Sequence, residues 1–346
     1  MDAVWIMHRD EGNSRILGIG NMDRCITHTE AGDRGAGEAD GRWGPGSKLG
    51  IIGGLGDMGR LFARFFAARG YQVSVSDPAG IERNEALVRE SDLVLFAVPL
   101  HHTTAIIRAL VPITRPGQLL MDLTSLKRQP VEEMLRSPAA VVGLHPMFGG
   151  QVGSFAGQTL IACPVRIEDR DWAVLKRLFE ASGLRIKQCT IEEHDRMMSI
   201  VQVLFHVNTM LVGRVLRELG VDIDQTLEYT SPSYLLEMDL LGRIFAQNSE
   251  LYAAITQLNP HTGEILEAMR EAVTSYQDWY RARDLQAFIA DFQQSSSHLG
   301  PFCRRAYRES SEILEYVVRR KHELRLNGAQ PEADDAEKVP QSGIEP

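Results

Sequence analysis

The stretch that most constrains this chain is IIGGLGDMGRLF, in which Gly54-x-Gly56-x-x-Gly59 follows a short apolar run and opens an amphipathic segment. Bare glycine spacing says little, but between a strand and a helix each glycine has a task. Gly54 makes the tight turn, Gly56 lets the backbone approach a pyrophosphate, and Gly59 lets the helix pack on the strand. The first helical amides then face the phosphates, with Leu55, Asp57 and Met58 as neighbours. The next β-rich run, YQVSVSD, ends at Asp77, at the spacing of the carboxylate that accepts hydrogen bonds from an adenosine ribose. Asp77 would repel a 2′-phosphate, so NAD is favoured over NADP. The competing reading is a plain turn, with Asp77 capping a loop.

From Leu49 to about Thr190 short β-rich runs (LGIIGG, YQVSVSD, DLVLFAVP, QLLMDLTS, AVVGLHP, TLIACP) alternate with helical patterns such as MGRLFARFFAARG. That alternation predicts βαβ units and a mostly parallel sheet covered by helices, an α/β Rossmann-type dinucleotide-binding domain over residues 48–190. Beyond Ile191 strand signals fade and long helical patterns follow, so residues 191–326 are expected to form an all-α C-terminal domain for substrate binding and dimerisation. Residues 1–47, rich in Gly, Asp, Glu and Arg, and residues 327–346 show neither period and are expected to be disordered tails.

Composition narrows the classes of partner. The 346 residues are 44% hydrophobic and 24% charged, an ordinary globular balance with room for two domains. With 37 Lys+Arg against 46 Asp+Glu the net charge is -9, which argues against nucleic acid or an anionic membrane as a partner. No stretch reaches the roughly 18 uninterrupted apolar residues of a membrane span. The four cysteines form no C-x-x-C pair, so no zinc site or disulfide framework is expected, and a reducing cytoplasm fits.

In open parallel sheets ligands bind beyond the carboxyl ends of the strands. Three expected strands end in polar residues: FAVPLHH, where Val98 and Pro99 are placed against the cofactor; MDLTSLK, with Ser125 and Lys127; and VVGLHPMFGG, with His145. His145, between an apolar strand and a Pro-Met-Phe-Gly-Gly loop, suits a shielded, neutral general base that Ser125 could orient. Equally open is a buried histidine satisfied by a carbonyl, with Ser125 as a turn cap. His101 and His102 read as loop residues near the nicotinamide.

In the helical half, Asp195, Ser199, Gln202, His206, Thr209 and Gly213 recur at spacings of 4, 3, 4, 3 and 4, forming one polar stripe on an otherwise apolar helix. Such a stripe is either a narrow solvated edge or the wall of a polar pocket, and Gln202 and His206 could both reach a ligand. Arg243, in YLLEMDLLGRIFAQ, lies among apolar residues; it suits a substrate carboxylate or an internal ion pair with Glu237 or Asp239.

These motifs in this order resemble the prephenate dehydrogenase family, over about residues 49 to 325. The likeness is strongest to the dehydrogenase half of the bifunctional chorismate mutase/prephenate dehydrogenases, without the mutase half. It rests on the glycine loop, AVPLH, DLTSLK, GLHPMFGG, EEHDRMMSIVQVLFH and SPSYLLEMDLLGRIFAQ. The resemblance implies an NAD-dependent oxidative decarboxylation of prephenate in tyrosine biosynthesis by a homodimer. It also implies that His145 is the catalytic histidine assisted by Ser125, that Arg243 binds a substrate carboxylate, and that His206 lines the pocket. Two departures stand out. Phe205 occupies the position where bifunctional relatives commonly carry Arg, and Leu258-Asn259-Pro260-His261 is similar to the amino-deoxyprephenate dehydrogenases of antibiotic pathways. Some of those replace the histidine with Asn, whereas His145 is retained here. The alternatives are thus 4-amino-4-deoxyprephenate or arogenate as substrate, and, from another class, a non-catalytic sensor of NAD or an aromatic metabolite.

Overall fold

A computed structural model describes residues 41–76 and 81–326. The strands are β1 (Lys48–Ile52), β2 (Gln72–Ser76), β3 (Leu93–Phe96), β4 (Leu119–Asp122), β5 (Ala140–Pro146), β6 (Thr159–Arg166) and β7 (Arg185–Gln188). Interleaved with them are helices α1 (Asp57–Ala67), α2 (Ile81–Glu90), α3 (Leu100–Leu110), α4 (Arg128–Met134) and α5 (Asp169–Glu180). The sheet runs β2-β1-β3-β4-β5-β6-β7, with only the β5–β6 pair antiparallel. β3 and β4, LVLF and LLMD, are buried throughout, the continuous apolar texture of strands covered on both faces.

One face of the sheet is sealed by an aromatic cluster. Phe62, Phe65 and Phe66 of α1 meet Phe179 of α5 and Phe155, and the Phe65 and Phe179 rings stack at 5.7 Å. The other face packs Val88 of α2, Ile107 and Leu110 of α3, and Val131 and Met134 of α4. β1 pairs with β2 on one side and β3 on the other, so the strand order reverses at β1 and opens a crevice at the carboxyl edge.

Two expectations are corrected. Gly41 to Ser47 are packed rather than loose: Trp43 is 3% exposed, its Nε1 donates to the Gly117 carbonyl (3.1 Å), and the Tyr71 hydroxyl donates to the Trp43 carbonyl (3.0 Å). A single aromatic anchor holds such a segment without any periodic pattern. β7, with the sequence RIKQ, was not expected as a strand; as a mostly exposed edge strand it lacks an apolar run. Residues 1–40 and 327–346, the rest of the expected tails, lie outside the described residues.

After β7 the described chain is helical: α6 (Ile191–Met198), a π-helical segment (Ser199–Leu204), α7 (Phe205–Glu218), α8 (Ile223–Glu228), α9 (Pro232–Phe245), α10 (Ser249–Leu258), α11 (Thr262–Ala282), α12 (Leu285–Leu299) and α13 (Pro301–Leu326). Several of their starts are capped by side chains. Thr190 accepts from the Glu193 amide, Ser231 from the Tyr234 amide with Pro232 behind it, and Asp284 from the Ala287 amide. α6, the π-helical segment and α7 make one rod, Ile191–Glu218, long and apolar enough by length and composition to cross a membrane, although no uninterrupted apolar run announces it. A third core, of Leu100, Leu126, Val203, Val207, Ala254 and Ile255, joins the rod and α10 to the sheet beneath the crevice.

Candidate active site

The ends of β1, β3, β4 and β5 converge on a cavity of about 340 Å³, whose walls include Asp57, Met58, Val98, Pro99, Ser125 and His145. The glycine loop forms one rim, with the roles redistributed. Gly53, rather than Gly54, adopts the left-handed backbone (φ 81°), and a Cβ there would lie 2.5 Å from the Ala97 carbonyl oxygen. Gly54 is instead pressed against the Val75 side chain of β2. At Gly59 a Cβ would sit 2.3 Å from the Gly53 carbonyl oxygen, so only glycine lets α1 start this close to the strand. Gly56 is open, and no side chain caps α1, leaving its first amides for an anion.

Around this rim Leu55 is half exposed and the Asp57 carboxylate accepts a hydrogen bond from Gln151 Nε2 (2.8 Å) in the loop after β5. Val98 is buried at the end of β3 and Pro99 precedes α3. Asp77 lies outside the described residues. His101 and His102 are in the first turn of α3 rather than a loop, with His101 Nε2 3.9 Å from Glu250 of α10.

His145, near the end of β5, is 2% exposed. Its Nδ1 lies 2.9 Å from His194 Nε2, and its Nε2 accepts from Gln202 Nε2 at 3.4 Å. Ser125 shares the cavity, but the expected hydrogen bond from it to His145 is not among the contacts of the described residues; His194 and Gln202 hold the ring instead. Burial pushes the His145 pKa well below the ordinary imidazole value, and the nearby His194 and Lys127 act in the same direction. The ring is therefore neutral at neutral pH and able to take a proton.

Lys127 is wholly buried in an ion pair with Asp122, and its Nζ also donates to the Leu144 carbonyl (2.7 Å), bracing β5 one residue before His145. Gly143 makes room, since a Cβ there would lie 2.9 Å from Lys127 Cδ.

The polar stripe reaches the site at its first half. Asp195 and Ser199 are buried, Gln202 and His206 half-buried. Ser199 turns back to the Arg196 carbonyl (2.7 Å). The π-helical segment replaces the regular turn assumed in the spacing and places Gln202 against His145, as π-bulges commonly do at working sites. Farther along, Gly213 abuts the Phe245 ring, a packing contact between α7 and α9.

His206 stands edge-on to Tyr252, ring centroids 4.8 Å apart, and burial lowers its pKa. Gln202 Oε1 and His206 Nδ1 are buried with no hydrogen-bond partner among the described residues, as polar atoms awaiting a ligand would be. Burial raises the Tyr252 pKa, and the positive charge of Arg243 partly opposes it, which puts Arg243 near the same group. The guanidinium is exposed and makes no ion pair among the described residues; Asp239, one of its expected partners, pairs with Lys321 at 3.1 Å.

Two residues of this site were not anticipated, His194 and Tyr252, while Lys127, noted at a strand end, takes a bracing place. His194 falls one position off the stripe that singled out Asp195, and the adjacent His-Asp pair was the available signal. Asn259, flagged as a departure, is 4% exposed, and its Nδ2 donates to the Asp195 carbonyl (2.9 Å), a structural bracket. Phe205 is 63% exposed and faces away from the buried groups.

Residues 66–188 match the family model described as prephenate dehydrogenase, nucleotide-binding domain, and residues 190–294 that described as prephenate dehydrogenase, dimerization domain. The chain is 34% identical over 269 residues to the T-protein of Haemophilus influenzae, covering 78% of this chain and 71% of the relative. It is also 34% identical over 265 residues to the T-protein of Enterobacter agglomerans, covering 76% and 70%. Among solved structures, prephenate dehydrogenase from Aquifex aeolicus in complex with hydroxyphenyl propionate and NAD+ has a similar fold, with TM-score 0.57 and 17% identity over 77% of this chain and 98% of that one. Motifs, fold and identity over most of the chain converge, and the chain belongs to the prephenate dehydrogenase family.

Proposed function

We propose that this protein is an NAD-dependent prephenate dehydrogenase, converting prephenate to 4-hydroxyphenylpyruvate and carbon dioxide in tyrosine biosynthesis. The observation that carries the reading is His145: a buried neutral imidazole on the wall of the cavity that also contains the dinucleotide-type glycine loop. The cofactor fits that rim. Gly56 leaves space for a pyrophosphate, the uncapped amides of α1 face it, and Val98 and Pro99 lie on the side toward the reacting ring. Asp77, by its place in the sequence, would hold the adenosine ribose.

The nicotinamide, when bound, supplies a hydride acceptor for C4 of the substrate. His145 Nε2 takes the proton of the 4-hydroxyl as C4 becomes a carbonyl carbon, while Ser125 assists from the cavity wall. The bond between C1 and its carboxylate then breaks and carbon dioxide leaves. Its electron pair flows through the ring to the C4 oxygen, which regains the proton, and aromatisation drives the step. Arg243 offers a planar fork to a substrate carboxylate, and Gln202 and His206 present their unpartnered atoms to polar groups of the substrate.

A homodimer through the helical half completes this reading. Phe205, Phe292 and Tyr307 are 63%, 66% and 77% exposed on the single chain, more apolar surface than an isolated domain ordinarily leaves in water. A second copy, rather than a lipid bilayer, is the partner we assign to the outer face of Ile191–Glu218, in a cytoplasmic enzyme.

The test is NADH formation by the purified protein with NAD and matched concentrations of prephenate, arogenate or 4-amino-4-deoxyprephenate. Prephenate is expected to be preferred, and preference for either amine would overturn the substrate assignment. In the same assay His145→Asn should lose roughly 10²–10⁴-fold in turnover with the NAD Michaelis constant little changed. Arg243→Ala should raise the prephenate Michaelis constant about tenfold or more.

A further inference from the structure

The geometry points to His194 as the positioning residue that, backed by Asp195, fixes which nitrogen of His145 presents a lone pair to the substrate. The inference rests on the proposed function only for its effect on turnover; the arrangement of protons follows from the contacts alone.

The chain of contacts has one consistent direction. The Asp195 carboxylate accepts hydrogen bonds from the Lys127 amide (2.8 Å) and the Arg128 amide (3.1 Å), the two residues that lead into α4. These bonds and its contact with His194 outweigh burial and keep its pKa below the usual value, so it is an acceptor only. The ring nitrogen facing it, His194 Nδ1 at 2.8 Å, must therefore carry the hydrogen. Burial keeps His194 neutral at neutral pH, which leaves its Nε2 as a lone pair. His145 Nδ1, 2.9 Å from that lone pair, must then be the donor. What remains on His145 is an unprotonated Nε2, the nitrogen to which Gln202 Nε2 donates. At 3.4 Å that last contact is long and easily exchanged for a substrate hydroxyl.

The same chain stabilises the charge that forms during reaction. When His145 Nε2 accepts a proton, its Nδ1–H strengthens its bond to His194, and the carboxylate of Asp195 lies behind His194. The titratable groups facing the pair are Lys127 from the loop before α4, Asp122 from β4, and His194 and Asp195 from α6. Lys127 and Asp122 pair with each other, so Asp195 is the uncompensated negative charge on the His194 side. In this arrangement His194 touches neither cofactor nor substrate; it acts through His145, as outer partners of a working histidine do.

The experiment is nitrogen-15 NMR of the imidazole rings of the full chain, assigned with His145→Gln, together with prephenate turnover. The wild type should show His145 with hydrogen on Nδ1 and a bare Nε2. In His194→Ala the His145 ring should shift toward the Nε2–H form, with turnover falling about 10–100-fold and the NAD Michaelis constant unchanged. In His194→Gln the side-chain carbonyl can accept from His145 Nδ1, so both the ring form and most of the turnover should return. An Nε2–H form of His145 in the wild type would overturn the inference, as would His194→Ala with wild-type ring form and turnover. If His194→Ala does not fold, the wild-type and His194→Gln spectra decide the question. Failure of the wild type to turn over prephenate would defeat the proposed substrate while leaving the ring form to judge His194.

Discussion

The two halves of this molecule are built to different standards of closure. In the sheet half the inward residues are sealed by the chain itself: Leu49, Ile51, Ile52, Leu93 and Leu95 are all 0% exposed, with helices over both faces. In the helical half α12 has no buried residue and α11 has only Thr262, while large apolar side chains stand in solvent along both helices. The difference teaches that the sheet half carries its own core, whereas the helical half leaves much of its apolar surface uncovered on the single chain. The candidate site sits where the two meet, with His145 of β5 against His194 of α6 at 2.9 Å.

Three substitutions or conditions can break or sharpen this contrast. The largest effect is expected in the sheet half: Trp43→Ala removes a buried anchor and should lower unfolding stability by about 3–5 kcal/mol, read by denaturant titration. A loss under about 1 kcal/mol would mean that this half is less tightly sealed than its burial implies. A smaller effect of another kind is expected on the helices. Val215→Glu, at a position 50% exposed on α7, should change the stability of the separated chain by only about 0.5 kcal/mol while weakening self-association at least tenfold, roughly 1.4 kcal/mol. Sedimentation velocity across a concentration series measures this, and unchanged association would remove that face from the interface.

The smallest effect concerns the meeting point. Because His145 has its pKa depressed, its neutral form is retained above the ordinary imidazole value and is lost only as pH falls through the depressed one. Turnover at saturating substrate should therefore vary by less than about twofold between pH 7 and 8, and fall only below the ordinary imidazole range. A limb centred near pH 7 would mean that the ring is wetter than its burial indicates.

Much of the sheet half was legible because its signals are local. Six of the seven strands fall on β-rich runs, and the glycine loop announced a strand, a turn and a helix within twelve residues. The seventh strand and Trp43 escaped because one is a polar edge and the other a single anchor without a period. The helical texture beyond Ile191 was also legible, but the π-helical segment was not. A spacing rule assumes regular turns, and nothing in Ser199–Leu204 announces an irregular one.

The site divides the same way. His145, Ser125, Val98 and Pro99 were readable as residues at strand ends, since the carboxyl edge of a parallel sheet is where loops converge on a ligand. His194 was not, because its partner is 49 positions away. Asn259 stood out for its unusual neighbourhood, but only the fold shows its side chain tying the α10–α11 turn to Asp195.

What the sequence determined by itself was the alternation of strand and helix, the glycine loop and the placement of a histidine at the end of an apolar strand. Those follow from side-chain periodicity and backbone sterics, which act over a few residues. Only the tertiary structure decided that Lys127 is buried against Asp122, that Gln202 meets His145, and that Asp195 orients His194. Each depends on polar groups from different elements or turns being buried together, where a hydrogen bond left unmade is expensive enough to dictate its partner.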